Sequence, residues 1–171
     1  MRYETFWPRF RAGFIDGVII AVFTFPLAYL DNYVIQPEQN YSVAIIWLFI
    51  SYFSPLAYYI YFHTTRGQTP GKLLSKVKLL DISEERIPNF RQAFVREIGY
   101  VILIGISFGL LAFNLLAREF YWQPVSGTLG QQIYTWSALS WFLVEGVSML
   151  TNYKRRAVHD YIARTVVVRT T

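Results

Sequence analysis

Two carboxylates lie inside long apolar stretches of the chain, where ionisable side chains are uncommon. Asp16 is the only charged residue of residues 14–30, and Glu145 is the only one of residues 132–150. A charge carried into hydrocarbon costs roughly 2.5–3.5 kcal/mol on insertion scales unless a partner or water relieves it. Carboxylates in this setting can bind a proton or a cation, so Asp16 and Glu145 are candidate ion- or proton-binding residues.

Arginines are spaced so that they could reach these acids. Arg9 precedes Asp16 by seven residues, about two helical turns, which places both on one helix face. Arg11 and Arg96 enter the apolar stretches from the same side. The spacing predicts Arg9, Arg11 and Arg96 as charge partners of the acids. Cation exchange and a purely structural ion pair need the same residue types, so both interpretations of Asp16 stay open.

The elements that must position these groups are predicted to be membrane helices. Of the 171 residues, 54% are hydrophobic and only 16% are charged, which favours a membrane protein. Apolar runs long enough to cross a bilayer predict spans at residues 14–30, 41–62, 98–117 and 132–150. The expected fold is an all-α membrane protein of one domain, a four-helix transmembrane bundle with a small cytoplasmic β element.

The basic residues predict the orientation of the spans. Fifteen of the sixteen Lys and Arg residues lie in residues 1–11, 63–97 and 151–171, and Arg118 alone lies in the two other loops. Both termini and the central segment are therefore expected in the cytoplasm. The β-rich runs 76–80 and 165–168 are expected to pair there, because an isolated strand leaves backbone groups without partners.

Several other kinds of site are not expected. Residues 67–72 have three residues between their glycines and Leu73 after Lys72, whereas a phosphate-binding loop needs four residues and then Ser or Thr. This run is interpreted as a turn. Two His and no Cys predict no metal site. No nucleophile lies beside a base, so we expect no enzyme, no cofactor and no nucleic-acid partner.

Three separated stretches resemble the RDD family of bacterial membrane proteins, named for one arginine and two aspartates. They are Arg9–x–x–Ala12–x–x–Ile15–Asp16, the run at 67–72, and a closing stretch from Arg156 to Val168. The resemblance implies that seven residues belong to the family motif: Arg9, Asp16, Thr69, Gly71, Lys72, His159 and Asp160. Arg164 stands where the family often has Gly, so the turn before the last strand is expected to differ.

The resemblance leaves two classes of function open. Cation/proton exchange has been suggested for some members of the family, which implies a small exchanger for a monovalent cation, working as a homo-oligomer because four spans enclose little space. The alternative is a non-catalytic assembly factor or subunit that docks a membrane-protein partner through its cytoplasmic face. In both cases the resemblance implies that the chain lies in a lipid bilayer, the bacterial inner membrane.

Overall fold

The chain is mostly helical, with one two-stranded sheet. The computed structural model describes residues 2–30, 41–116 and 129–170. The predicted outer loops at 31–40 and 118–131 lie outside these residues, except where the last long helix begins. The elements in chain order are α1 Phe6–Leu30, α2 Tyr41–Thr65, α3 Pro70–Leu74, β1 Val77–Asp81, α4 Phe90–Arg96, α5 Ile98–Leu116, α6 Leu129–Leu150, α7 Val158–Ile162 and β2 Thr165–Arg169.

The four long helices coincide with the predicted spans, and α1 begins earlier than predicted, at Phe6. Within the described ranges, no helix combines the length and the apolar character needed to cross a membrane. The transmembrane bundle therefore stays a prediction.

The predicted strand pairing is confirmed. β1 and β2 pair antiparallel, with Val77 opposite Arg169 and Asp81 opposite Thr165. Val77 and Leu79 alternate to the buried face of β1 and form a small core with Val167 and with Ala12 from α1. The sheet thus packs on the first helix, which carries Arg9 and Asp16.

The run at residues 67–72 is not only a turn, as the sequence predicted, but also begins the short helix α3. Thr69 caps this helix by accepting a hydrogen bond from the Lys72 amide at 3.2 Å, and Pro70 occupies its first position. Thr followed by Pro is a favourable helix start, because Pro needs no amide partner there and its φ suits the helix. This local signal outweighs the Pro-Gly pair that suggested a turn alone.

Two short helices flank the strand pair in the chain: α4 follows β1, and α7 precedes β2. In the sequence, Pro88 and Asn89 predict a helix that begins at Phe90 and continues straight into the third span. Asn89 and Gln92 form a capping box at the start of α4, which confirms the start at Phe90. The helix breaks at Glu97 before α5 rather than continuing without interruption. Arg164, between α7 and β2, has a φ of 54°, so it adopts the left-handed conformation that glycine adopts most easily.

Candidate functional site

Asp16 is fully enclosed at the junction of α1, α2 and α3. Its carboxylate accepts hydrogen bonds from the Tyr58 hydroxyl at 2.9 Å, the Thr69 hydroxyl at 2.6 Å and the Gly71 amide at 2.8 Å. Only 1% of the residue is exposed. Three neutral donors therefore satisfy this buried acid and join α1 to the start of α3.

Gly71 is required for this junction because the two backbones approach closely. A Cβ atom at position 71 would lie 2.3 Å from the Ala12 carbonyl oxygen and 2.7 Å from Asp16 Oδ1. Only glycine lets the amide at this position reach the carboxylate without displacing α1.

The predicted ion pair between Arg9 and Asp16 is wrong. Arg9 pairs instead with Asp160, with Nη1 2.5 Å from Oδ2, and Arg96 binds the other oxygen of the same carboxylate. Arg11 is exposed, and no ion pair joins it to another described residue. The reason is geometric. α3 covers Asp16, whereas the closing stretch from Arg156 to Val168, the closing segment, places Asp160 between Arg9 and Arg96.

Asp160 is the centre of a second buried cluster. Its side chain is completely buried, and Thr165 donates to Oδ1 at 3.2 Å while the Ala157 amide donates to Oδ2 at 3.0 Å. Burial alone would raise the pKa of the Asp160 carboxyl, but Arg9 and Arg96 outweigh that effect and hold this pKa well below its usual range. The carboxylate is therefore charged and ties the closing segment to α1 and α4.

Glu145 contacts the residue next to Asp160. Its Oε1 accepts from the His159 amide at 3.2 Å, and its Oε2 lies 2.8 Å from His159 Nδ1. The side chain of Glu145 is 10% exposed and that of His159 is 22% exposed. The second contact does not have hydrogen-bond geometry, so Glu145 Oε2 is left without a hydrogen bond. The two side chains are therefore in contact without a hydrogen bond between them.

A third cluster contains two residues that the sequence did not single out. Lys72 Nζ lies 2.9 Å from His63 Nε2, and His63 Nδ1 lies 3.5 Å from Glu97 Oε1. Burial lowers the pKa of Lys72 to about 8 and that of His63 to about 3, so the imidazole is neutral. The only sequence signals for His63 and Glu97 were their positions. His63 directly follows the apolar run 41–62, and Glu97 directly follows Arg96.

Two cavities meet at these clusters. One, of about 690 Å³, lies between α1 and α6, and we call it the α1–α6 cleft. The other, of about 390 Å³, lies between α2, α5 and α6. The two share six lining residues: Tyr59, Lys72, Arg96, Phe142, Glu145 and His159. Charged groups from distant parts of the chain thus form a common wall.

The described residues contain no group of three or more His, Cys, Asp or Glu side chains that could hold a metal ion.

The seven predicted motif residues lie in the clusters described above. Asp16, Thr69 and Gly71 form the first cluster, and Lys72 lies beside it. Arg9, His159 and Asp160 lie together in the second cluster.

The fold and site define a helical protein in which Asp16 joins the first helix to the start of α3, and Asp160 joins the segment before β2 to Arg9 of the first helix. The family model of the RDD family matches residues 3–164, nearly the whole chain. The chain therefore belongs to the RDD family, and this membership indicates a membrane protein. Neither the curated proteins nor the solved structures contain a significant match to the chain.

Proposed function

We propose that this chain is a four-span membrane protein that exchanges a proton for a monovalent cation at the Glu145–His159 pair. Family membership and the charge-free stretches 41–62 and 98–117 support the membrane placement. Outside the α1–α6 cleft, α1 and α6 carry further large exposed apolar side chains, as a surface in contact with lipid would: Val18, Val22, Phe23 and Leu139.

One observation carries the exchange proposal: Glu145 lines both cavities and contacts an imidazole at 2.8 Å. A carboxylate that two cavities approach can receive a cation from one and release a proton towards the other. His159 is the more exposed partner and can carry that proton to water. Lys72 and Arg96 on the same wall repel a cation when Glu145 is protonated, which favours release.

Asp16 is assigned a structural role in this proposal. All of its contacts come from neutral donors that already satisfy the carboxylate, and displacing them would detach α3 from α1. Asp160, held by two arginines, is likewise an anchor. Exchange is left to Glu145, the buried acid with an unsatisfied oxygen.

The test is cation-dependent proton flux in liposomes that contain the purified full-length chain and an internal pH dye. Addition of Na⁺ or K⁺ outside the liposomes should make the lumen more alkaline, because each cation that enters is exchanged for a proton that leaves. Glu145→Gln and His159→Gln should abolish this flux. Glu85→Gln, which changes an exposed glutamate in the turn after β1, is the matched control and should leave it unchanged.

The homo-oligomer and the docked membrane-protein partner also remain proposals. Crosslinking in the membrane, followed by mass determination of the purified complex, separates them. Wild-type protein that gives no flux but co-purifies stoichiometrically with another membrane protein would replace exchange by the assembly-factor function.

A further inference from the structure

Unsatisfied polar atoms concentrate in the α1–α6 cleft. Six buried side-chain nitrogen or oxygen atoms in the described ranges make no hydrogen bond, and four belong to residues that line this cleft: Arg9 Nε, Arg9 Nη2, Glu145 Oε2 and His159 Nε2. The side chains of Arg9 and Glu145 are both at least nine-tenths buried. Buried polar atoms normally find partners, so this group indicates a ligand with both an acceptor and a donor.

The free atoms of Arg9 are donors only, on the edge of a guanidinium whose Nη1 already binds Asp160. Such an edge matches the oxygens of a phosphate, which it can bind through two parallel hydrogen bonds. Glu145 Oε2 lies 2.8 Å from His159 Nδ1 but makes no hydrogen bond, and as an acceptor it matches an ammonium group. Arg9 and Glu145 line one cleft, so a single ligand can engage both.

Charge balance argues against a purely anionic ligand. Arg9, Lys72 and Arg96 at the cleft are matched by Asp16 and Glu145 there and by Asp160 directly behind Arg9. These six groups have formal charges that sum to zero. A headgroup that carries one phosphate and one ammonium complements it, whereas a singly anionic headgroup leaves Glu145 unsatisfied.

The walls of the cleft are apolar above this charged floor. Trp7, Phe10 and Phe14 of α1 face Phe142, Leu143 and Val147 of α6, and all six are more than half exposed. Gly13 on α1 and Gly146 on α6 leave open space between the walls. These walls suit acyl chains that enter from the side.

We propose that the α1–α6 cleft binds one zwitterionic phospholipid with a primary-ammonium headgroup, its phosphate on Arg9 and its ammonium on Glu145. The inference rests on the proposed membrane placement but not on exchange. A bound ammonium and an exchanged cation exclude each other at Glu145.

Native mass spectrometry of the purified full-length chain tests this with three lipids of identical acyl chains: phosphatidylethanolamine, phosphatidylcholine and phosphatidylglycerol. Phosphatidylethanolamine should bind about tenfold more tightly than the other two, because only its ammonium can donate charge-assisted hydrogen bonds to Glu145 without leaving that acid unpaired. Equal binding of phosphatidylglycerol or phosphatidylcholine would overturn the assignment of the headgroup.

Two variants locate the site. Glu145→Gln should reduce phosphatidylethanolamine binding to the level of phosphatidylglycerol and leave phosphatidylglycerol binding unchanged. Gly13→Leu fills the cleft without touching the charged floor and should abolish selective binding, whereas Gly105→Leu, at an equally open glycine on α5 outside the cleft, should not.

Selective binding that survives Gly13→Leu would place the lipid elsewhere and overturn the proposal. The same protein is also tested for retention in the membrane after alkaline extraction. A chain that remains in the membrane but shows no selectivity contradicts the lipid site alone, whereas a chain that is extracted contradicts the membrane placement itself.

Discussion

At the scale of single residues, the two buried aspartates differ in how their charge is compensated. Asp160 is held by two guanidinium groups, whereas Asp16 is held by two hydroxyls and one amide. Removing one partner of a buried ion pair leaves an uncompensated charge, which is more destabilising than losing a neutral hydrogen bond. The two acids should therefore respond differently to the same substitution.

Asp160→Asn should lower the free energy of unfolding by about 3–5 kcal/mol, because Arg9 and Arg96 lose their shared carboxylate while buried. Thermal unfolding in detergent measures the loss. Glu85→Gln at the exposed turn is the control and should change stability by less than about 0.5 kcal/mol. Unchanged stability of the Asp160 variant would contradict the ion-pair cluster.

Asp16→Asn should have a smaller effect, a loss of about 1–3 kcal/mol, because one of three neutral donors then faces an amide NH₂ group. Proton flux per folded molecule should be unchanged, since Asp16 is an anchor in the proposed mechanism. The same thermal and liposome assays apply. Complete loss of flux with unchanged stability would show that Asp16, rather than Glu145, is the exchanging group.

At the scale of elements, the short helix α3 is the part that joins the helices to the strand pair. It follows α2 in the chain and contacts α1 through Gly71. β1 begins shortly after it, at Val77. Its cap residue Thr69 serves both Asp16 and the Lys72 amide. Changes in α3 should therefore alter its contact with α1 and the surroundings of Lys72.

Gly71→Ala should destabilise the protein by about 1–3 kcal/mol, because the new Cβ would overlap the Ala12 carbonyl oxygen and force α3 away from α1. Thermal unfolding compares it with Gly105→Ala, where nothing lies within 4 Å of the added atom. The control should be neutral or slightly stabilising, because alanine favours a helix more than glycine does. Equal behaviour of the two variants would contradict the close contact.

Stability should rise as the pH increases from about 8 to about 10.5. Burial lowers the pKa of Lys72 from 10.5 to about 8 in the folded chain, so in this window the unfolded chain binds more protons than the folded one. The unfavourable burial of the charge is fully present below pH 8 and is relieved above pH 10.5. Lys72→Met should reduce this pH dependence, which unfolding temperatures across the window measure. The same dependence of stability on pH in both proteins would contradict the lowered pKa of Lys72.

At the scale of the whole molecule, the proposed topology places α3, α4, α7 and both strands on one side of the membrane. The fifteen basic residues of residues 1–11, 63–97 and 151–171 would then share that side. This arrangement also puts the floor of the α1–α6 cleft near the cytoplasmic headgroups, where the proposed phospholipid would enter.

Cysteine labelling tests the topology without background, because the chain has no Cys. An impermeant maleimide should label Gln36→Cys in intact cells, but Ser83→Cys and Thr170→Cys only after permeabilisation. Gln36 lies outside the described residues. Labelling of Ser83→Cys from outside intact cells would contradict the proposed orientation.

The features that depend on local pattern could be predicted from the sequence. The β-rich runs 76–80 and 165–168 identified two strands, and their need for backbone partners predicted the pairing between β1 and β2. Pro88 and Asn89 marked the start of α4, because a cap acts within one turn. The long apolar stretches marked four long helices, and the separated motifs identified the family.

Which charged groups pair with each other depends on the tertiary structure. Arg9 and Asp16 share a helix, yet Arg9 binds Asp160, which lies 151 positions away in sequence. Asp16 is shielded by Thr69 and Gly71, and the Lys72–His63 contact likewise depends on how α3 folds back against α2. Residue spacing predicts which groups can meet along one helix. Which of these groups do meet depends on how the other elements pack over them, because a buried charge binds the partner that the packing brings within hydrogen-bond distance.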